Sequence, residues 1–364
     1  MNELEALAIL SQLPHLGSVK IRSLLGHFGS ALNVLEADVQ EIEDLPGFGS
    51  KISRHWKYWE KDSSWQEDLE LAQRHAVQII PISAPSYPKR LLELHDAPIL
   101  LYIKGEIKPQ DQQAIAVVGT RNATRYGHEM AERIAGGLAA SGFTVVSGLA
   151  RGIDTTAHIH ALTYGRTIAV IGSGLLDVYP RENRSIAEQI TRKGALISEF
   201  PMKTPPDRQN FPQRNRIVSG MTLGTVLVEA PVESGAMITM HKAFSQDRKL
   251  FAVPGRADFE TFQGNHQLIK TGKAQLVEKA EDIVEYFQDL FGALKIVPVL
   301  ARKKVVLEPE EEELLNQIPT RDLSFDEIAI LTKLTAMKLN ILLMSLVLKK
   351  VIKEYPGKMY KKIV

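Results

Sequence analysis

Residues 114–148, AIAVVGTRNATRYGHEMAERIAGGLAASGFTVVSG, decide the fold. The two ends of this stretch, AIAVVG (114–119) and FTVVSG (143–148), are short β-branched runs that stop at glycine, and a helix-length segment separates them. The same alternation recurs at TIAVIG (167–172), ALISEF (195–200), TVLVEA (225–230) and KLFAVPG (249–255). Strands this continuously apolar are covered on both faces, and parallel strands need a crossover between them. The expected class is therefore α/β, built on a doubly wound parallel sheet. In that architecture ligands bind beyond the carboxyl ends of the strands, which here close on glycine or an acidic residue followed by polar ones.

Outward from this region the pattern changes twice, and 364 residues exceed one ordinary core. The expected domains are a helical 1–80, the sheet domain 81–300 and a tail 301–364. Residues 1–80 hold short amphipathic helices, LEALAILSQL and ALNVLEADVQEI, and carry 7 basic against 12 acidic side chains. They also hold an imperfect repeat, LPHLGSVKI (13–21) and LPGFGSKI (45–52). The second copy fits a helix–hairpin–helix turn, whose glycines let backbone amides approach a phosphate; the first has His15 where glycine is wanted. A tight turn between packed helices is the alternative, and the acidic balance favours it. The tail opens with a basic ARKK and continues through EPEEEELLNQI, SFDEIAILTK and TAMKLNILLMSLVLKK to VIKEYPGKMYKKIV, two short strands about Pro356-Gly357. Three helices and a hairpin suggest a winged helix-turn-helix, which reads duplex DNA or docks on protein. The very apolar third helix speaks against DNA.

The formal charge of +1 would argue against a nucleic-acid partner if charge were evenly spread. Residues 119–220, however, carry 13 basic and 8 acidic groups, and 11 of the 13 are arginine, whose planar fork suits phosphate. No apolar stretch approaches the roughly 18 residues of a membrane helix, and the start MNELEALAIL is acidic, so a cytoplasmic protein without membrane contact is expected. The absence of cysteine excludes disulfides, thiolate nucleophiles and cysteine-ligated metal.

No cofactor fingerprint is present: GxGxxG, GxxxxGK[ST] and GxSxG are all missing. His158 and His160 stand at i,i+2 on different helix faces, which disfavours a metal site; Asp154 is expected as the N-cap of that helix, with His158 on its buried side. The strand ends offer small residues and arginines instead: Gly119-Thr120-Arg121, Ser147-Gly148 with Arg151, Ser173-Gly174, Arg181 and Asn183 around Tyr179-Pro180, and FPQRNR with Phe211, Arg214, Asn215 and Arg216. Glycine turns aim amides at an anion and arginines neutralise it, which is phosphate binding without a nucleophile or metal ligand. A long groove with Phe211 or Tyr179 for stacking suits single-stranded nucleic acid. The competing account pairs these arginines with Glu199, Glu229 and Glu233 to knit the sheet edge.

The ordered strings SYPKRLLELHDAPILLYIKG (86–105), AVVGTRNATRYG, SGLARGIDTTAH, TIAVIGSGLLDVYPREN, GALISEFP, FPQRNRIVSG, ESGAMIT, FAVPG and QGNHQLIKTGKA resemble the DNA-processing protein A (DprA/Smf) family over about 81–277. The resemblance implies an extended Rossmann-like sheet with a small helical amino-terminal domain and a winged-helix-like carboxy-terminal one. It implies a cytoplasmic, non-enzymatic protein that binds single-stranded DNA, self-associates as a homodimer and loads the RecA recombinase during natural transformation. Carried over, the family's glycine–Ser/Thr–arginine turn falls on Gly119, Thr120 and Arg121, its Ser-Gly-Leu turn on Ser147 and Gly148, its basic residue after Tyr-Pro on Arg181, and its RNR run on Arg214, Asn215 and Arg216. One departure is ITMHKA (238–243), with Met240 and His241 in place of small residues. A rival from another class is a nucleotide phosphoribohydrolase of the lysine-decarboxylase-like kind, suggested by SGMTLGTVLVEA with Glu229. Apolar residues at Ile238–Phe244 and Ile283–Phe291 are candidate surface but better suited to core.

Overall fold

The computed structural model describes residues 1–49, 52, 56–291, 307–319, 321–349 and 351–362. It forms two compact units, Met1–Val299 and Leu300–Val364. In the first, the strands are β1 (Gln78–Pro81), β2 (Leu100–Gly105), β3 (Ala114–Val118), β4 (Thr144–Ser147), β5 (Arg166–Val170), β6 (Ala195–Ser198), β7 (Gly224–Leu227), β8 (Lys249–Ala252) and β9 (Gln275–Leu276). They make one sheet in the order β1-β2-β6-β5-β4-β3-β7-β8-β9. From β6 to β9 each neighbouring pair is parallel. β2 runs antiparallel to both β1 and β6, a margin that the strand-helix alternation did not announce.

β3 shows why the sheet is buried on both faces. Its side chains alternate, so Ile115 and Val117 enter one core with Ile134, Leu138 and Phe287, while Ala116 and Val118 enter another with Ile217, Val218 and Met240. Burying each such isoleucine or valine contributes about 1.5–3 kcal/mol. Helices Arg125–Ala140, Ile153–Tyr164 and Ala280–Phe291 cover the first face; Asn210–Gly220, Gly235–Ser245 and Gln263–Lys270 cover the second. Chain order reverses beside β3, with β4, β5 and β6 to one side and β7, β8 and β9 to the other. The β3/β7 boundary is therefore the topological switch point, where crossover helices diverge and leave a crevice.

The amino-terminal helices belong to the same unit and share a hydrophobic cluster with Tyr102 and Leu196 of the sheet. Buried Asp68 ties them down: the Tyr102 hydroxyl and the Met202 amide each donate to its carboxylate at 2.6 Å. Burial pushes the Asp68 carboxyl up despite both bonds. The sequence repeat is one turn used twice. His15 (φ +65°) takes the left-handed conformation that Gly47 (φ +84°) takes in the second copy. The amides of Leu16 and Phe48 close the two turns onto the carbonyls of Leu13 and Leu45. Ser50 and Lys51 of the second copy lie outside the described residues.

The second unit has helices Pro309–Gln317, Phe325–Thr332 and Ala336–Leu348 with strands β10 (Leu323–Ser324), β11 (Ile352–Tyr355) and β12 (Met359–Lys362), ordered β10-β12-β11. Leu314, Ile328, Leu339, Leu343, Leu346 and Ile352 form its own core. The ARKK patch at 301–304 lies outside the described residues. Of the two apolar stretches singled out in the sequence, Ile283, Val284 and Phe287 are core, whereas Ile238 and Phe244 are exposed.

Candidate functional site

A cleft of about 660 Å³ opens at the switch point, lined by Gly119, Thr120 and Arg121 after β3, Gly148 after β4, and Asp154. Arg208, Phe211, Arg214, Asn215 and Val218 line it from the 210–220 helix and its approach, and Pro231, Glu233, Ser234, Gly235 and Ala236 line it from the turn that starts the 235–245 helix. Ser234 caps that helix by accepting the Met237 amide at 3.3 Å. The amides of Gly235 and Ala236, like those of any first helical turn, have no partner within the helix and favour an anion in the cleft.

Arg214 is the deepest cation. It is 5% exposed, and its Nη1 donates to the Val170 carbonyl at 2.9 Å. A Cβ at position 148 would stand 1.6 Å from that same Nη1, so glycine there lets the guanidinium keep this seat and any side chain would displace it. Burial lowers the Arg214 guanidinium to about 10; Asp154 opposes the shift and Arg121 adds to it. Asp154 accepts the amides of Gly148 at 3.1 Å and Ala150 at 3.4 Å, and burial raises its carboxyl. It holds the turn from inside the first helical turn; the N-cap position itself is Gly152, a correction to the expectation from sequence. His158, one turn further, is fully buried against Thr167 Oγ1 at 2.7 Å. Burial and the Arg214 charge hold its imidazole at about 3, so it is neutral and not poised for proton transfer.

At the mouth, the Arg121 guanidinium lies 5.5 Å over the Phe211 ring, whose centroid is 5.9 Å from that of Tyr179. Arg121, Arg181 and Arg208 are exposed and form no ion pair among the described residues. An exposed guanidinium beside a half-buried phenylalanine and an exposed tyrosine is a combination suited to a phosphate with an unstacked base.

Not all expected residues meet here. Arg216 does not reach the cleft: it is 6% exposed and grips Glu199 at 2.5 and 2.6 Å, with Asp96 at 3.5 Å. That is the competing account realised at one arginine. Ser147 is wholly buried and donates to the Val117 carbonyl at 2.7 Å. Ser173 donates to the Asp177 carbonyl inside its own turn, and the Gly174 amide donates across to the Thr204 carbonyl after β6. Asn183 is spent on Leu149 and Thr155. Arg151 is exposed but paired with Glu182. Asn215 lines the cleft and donates to the Gly235 carbonyl at 3.3 Å. Glu229 does not line it; it accepts the Thr124 amide and hydroxyl at 2.9 and 2.8 Å, which leaves the hydrolase rival without its key carboxylate. Arg208, absent from the sequence-based set, is the addition. Its signal was a basic residue just ahead of an aromatic helix start, away from any strand end.

Residues 78–288 match the family model described as DNA recombination-mediator protein A. The chain belongs to that family. The match starts at the first residue of β1 and stops within the 280–291 helix, so the whole cleft lies inside the recombination-mediator segment, and the second unit lies outside it. Relatives include Protein Smf of Synechocystis sp., 36% identical over 295 residues covering 80% of this chain and 72% of that one. DNA processing protein A of Streptococcus pneumoniae superposes with TM-score 0.69 at 30% identity, covering 78% of this chain and 98% of that one. DNA processing protein A of Helicobacter pylori, whose structure is described as giving insight into its single-stranded DNA binding mode, superposes with TM-score 0.54 at 28% identity over 59% of this chain and 98% of its own.

Proposed function

We propose that the switch-point cleft of this recombination-mediator chain binds single-stranded DNA, and that the bound strand is presented to the RecA recombinase. The observation that carries this is that exposed Arg121 and Arg208 line the cleft with no ion-pair partner among the described residues, Arg121 over Phe211, with Arg214 buried in the same cleft. Phosphates meet Arg121, Arg181, Arg208 and the open amides of Gly235 and Ala236. Bases stack on the aromatic rings, which a paired duplex does not offer. The DNA-binding mode described for the Helicobacter pylori relative supports the same assignment. Binding of this kind breaks no bond; its work is electrostatic capture and stacking.

Fluorescence anisotropy with a labelled poly-dT oligomer tests it. Single-strand affinity falls by about 0.7 log units per neutralised phosphate for each tenfold rise in salt, so Arg121, Arg181, Arg208 and Arg214 together give a slope of about −3. Equal affinity for a blunt duplex, or a flat salt response, overturns the proposal. Stimulated RecA filament formation on coated strands tests the second half.

A further inference from the structure

A second hollow of the first unit, about 210 Å³, has apolar walls from Pro85, Tyr87, Pro88, Ile107, Pro109 and Met221. Lys89, Arg90 and Lys108 share the lining. It lies where the chain enters β3 and leaves the 210–220 helix, whereas the cleft lies beyond the carboxyl end of β3. β3 has five residues, so roughly 16 Å of strand keeps the two apart. The walls are stiff and mostly aliphatic, and the proline rings fix the backbone. Tyr87 is 2% exposed and its hydroxyl donates to the Pro98 carbonyl at 2.7 Å, so its ring offers no open face.

The charge of the hollow is one-sided because the acids around it are spent. Asp111 accepts Thr144 Oγ1 and Arg166 Nε on one carboxylate oxygen, and the Lys108 amide and Arg166 Nη2 on the other, all at 2.6 to 2.7 Å. Glu93 is held by Arg248 at 2.7 Å. Glu106 meets Lys108 at 3.4 Å, an exposed pair of the kind that a ligand readily replaces. Lys89 and Arg90 form no ion pair among the described residues, and Arg90 donates only from Nε, to the Gln112 carbonyl at 3.4 Å. Burial and the neighbouring Arg248 disfavour the charge on Arg90, a cost that an arriving carboxylate offsets.

We propose that this hollow docks an acidic peptide segment of a partner protein, with one apolar side chain among the prolines and the flanking carboxylates on Lys89, Arg90 and Lys108. Its volume is below the roughly 300–1,000 Å³ of sites that enclose a small-molecule ligand, and it suits a single side chain. Gln112, exposed on the same lining, has a side-chain amide for the peptide backbone. A nucleic acid is the wrong occupant, because bases stack on open aromatic faces and these walls have none. The site stands whatever the cleft binds, and the separation lets a partner and a strand be held at the same time.

Fluorescence anisotropy tests this with the full-length chain and three labelled peptides, Asp-Asp-Glu-X-Asp-Glu, in which X is leucine, phenylalanine or serine. The better of the two apolar peptides is expected to bind at least tenfold more tightly than the serine peptide. Lys89→Glu with Lys108→Glu, both exposed, should weaken it at least tenfold. Ser86→Trp, which fills the hollow from an exposed position and changes no charge, should do the same should the charge reversal disturb folding. Affinity for poly-dT should stay within twofold in both variants, and saturating poly-dT should leave peptide affinity unchanged, which separates this result from failure of the DNA assignment. The proposal is overturned when neither apolar peptide binds more tightly than the serine peptide, when binding survives both variants, or when poly-dT displaces the peptide.

Discussion

The two ends of one sheet use arginine in opposite ways. At the amino end of β5, Arg166 is saturated: it meets Asp111 at 2.6 and 2.7 Å and the carbonyls of Lys193 and Glu106. In the cleft, the guanidiniums of Arg121, after β3, and Arg208, just ahead of the 210–220 helix, have no ion-pair partner among the described residues. The residue type is the same, and only the geometry of partners separates a staple from a receptor. A desolvated arginine paired as Arg166 is has no capacity left for a ligand, whereas a solvated one keeps it.

The largest effect should come from the staple. Arg166→Ala leaves Asp111 buried without its counter-charge and should cost about 3–5 kcal/mol, read as a drop in urea midpoint. A loss below 1 kcal/mol would erase the contrast. Arg216→Ala, which orphans half-buried Glu199, should cost about 2–3 kcal/mol, and the double change Arg216→Met with Glu199→Gln should recover part of it. Neither variant should lose DNA affinity beyond what unfolding explains.

At the other end, Arg121→Glu with Arg208→Glu should weaken poly-dT binding at least tenfold, about 1.4 kcal/mol, at unchanged melting temperature. A shift in stability without a shift in binding would move these arginines into the staple class.

The smallest effect is a slope. His158 is held at about 3 against an ordinary 6.5, so its contribution to stability is whole above pH 6.5 and declines as pH falls towards 3. The decline reaches at most a tenfold loss in folding constant per pH unit. Asp154, raised by burial, works in the opposite sense, so the informative quantity is the difference between His158→Gln and the unsubstituted chain at pH 7, 6 and 5. The substituted chain should show the shallower pH dependence.

The sheet was legible because buried β-branched runs and helix-length spacers leave few alternatives. The switch-point residues Gly119, Arg121, Gly148, Phe211, Arg214 and Asn215 were legible because ligand crevices open where strands end. Arg216 misled for a helical reason. The helix starts at Asn210, so the RNR run lies within it, and residues two apart point about 200° away from each other. Ser147, Ser173 and Asn183 misled for another: Ser147 is spent on the neighbouring strand, Ser173 on its own turn and Asn183 on Leu149 and Thr155, and composition does not distinguish such uses from a ligand. His15 shows the converse, because a residue that breaks a motif in writing still adopts its backbone conformation.

The 1.6 Å approach of Arg214 to the missing side chain of Gly148 links positions 66 residues apart. The two positions are coupled. Any side chain at 148 acts as a tethered competitor for the guanidinium's seat, so a larger residue there either displaces the guanidinium or favours a shorter residue at 214. The pair is thus an epistatic lock, and a lineage that opens it surrenders the deepest positive charge of the cleft in the same step.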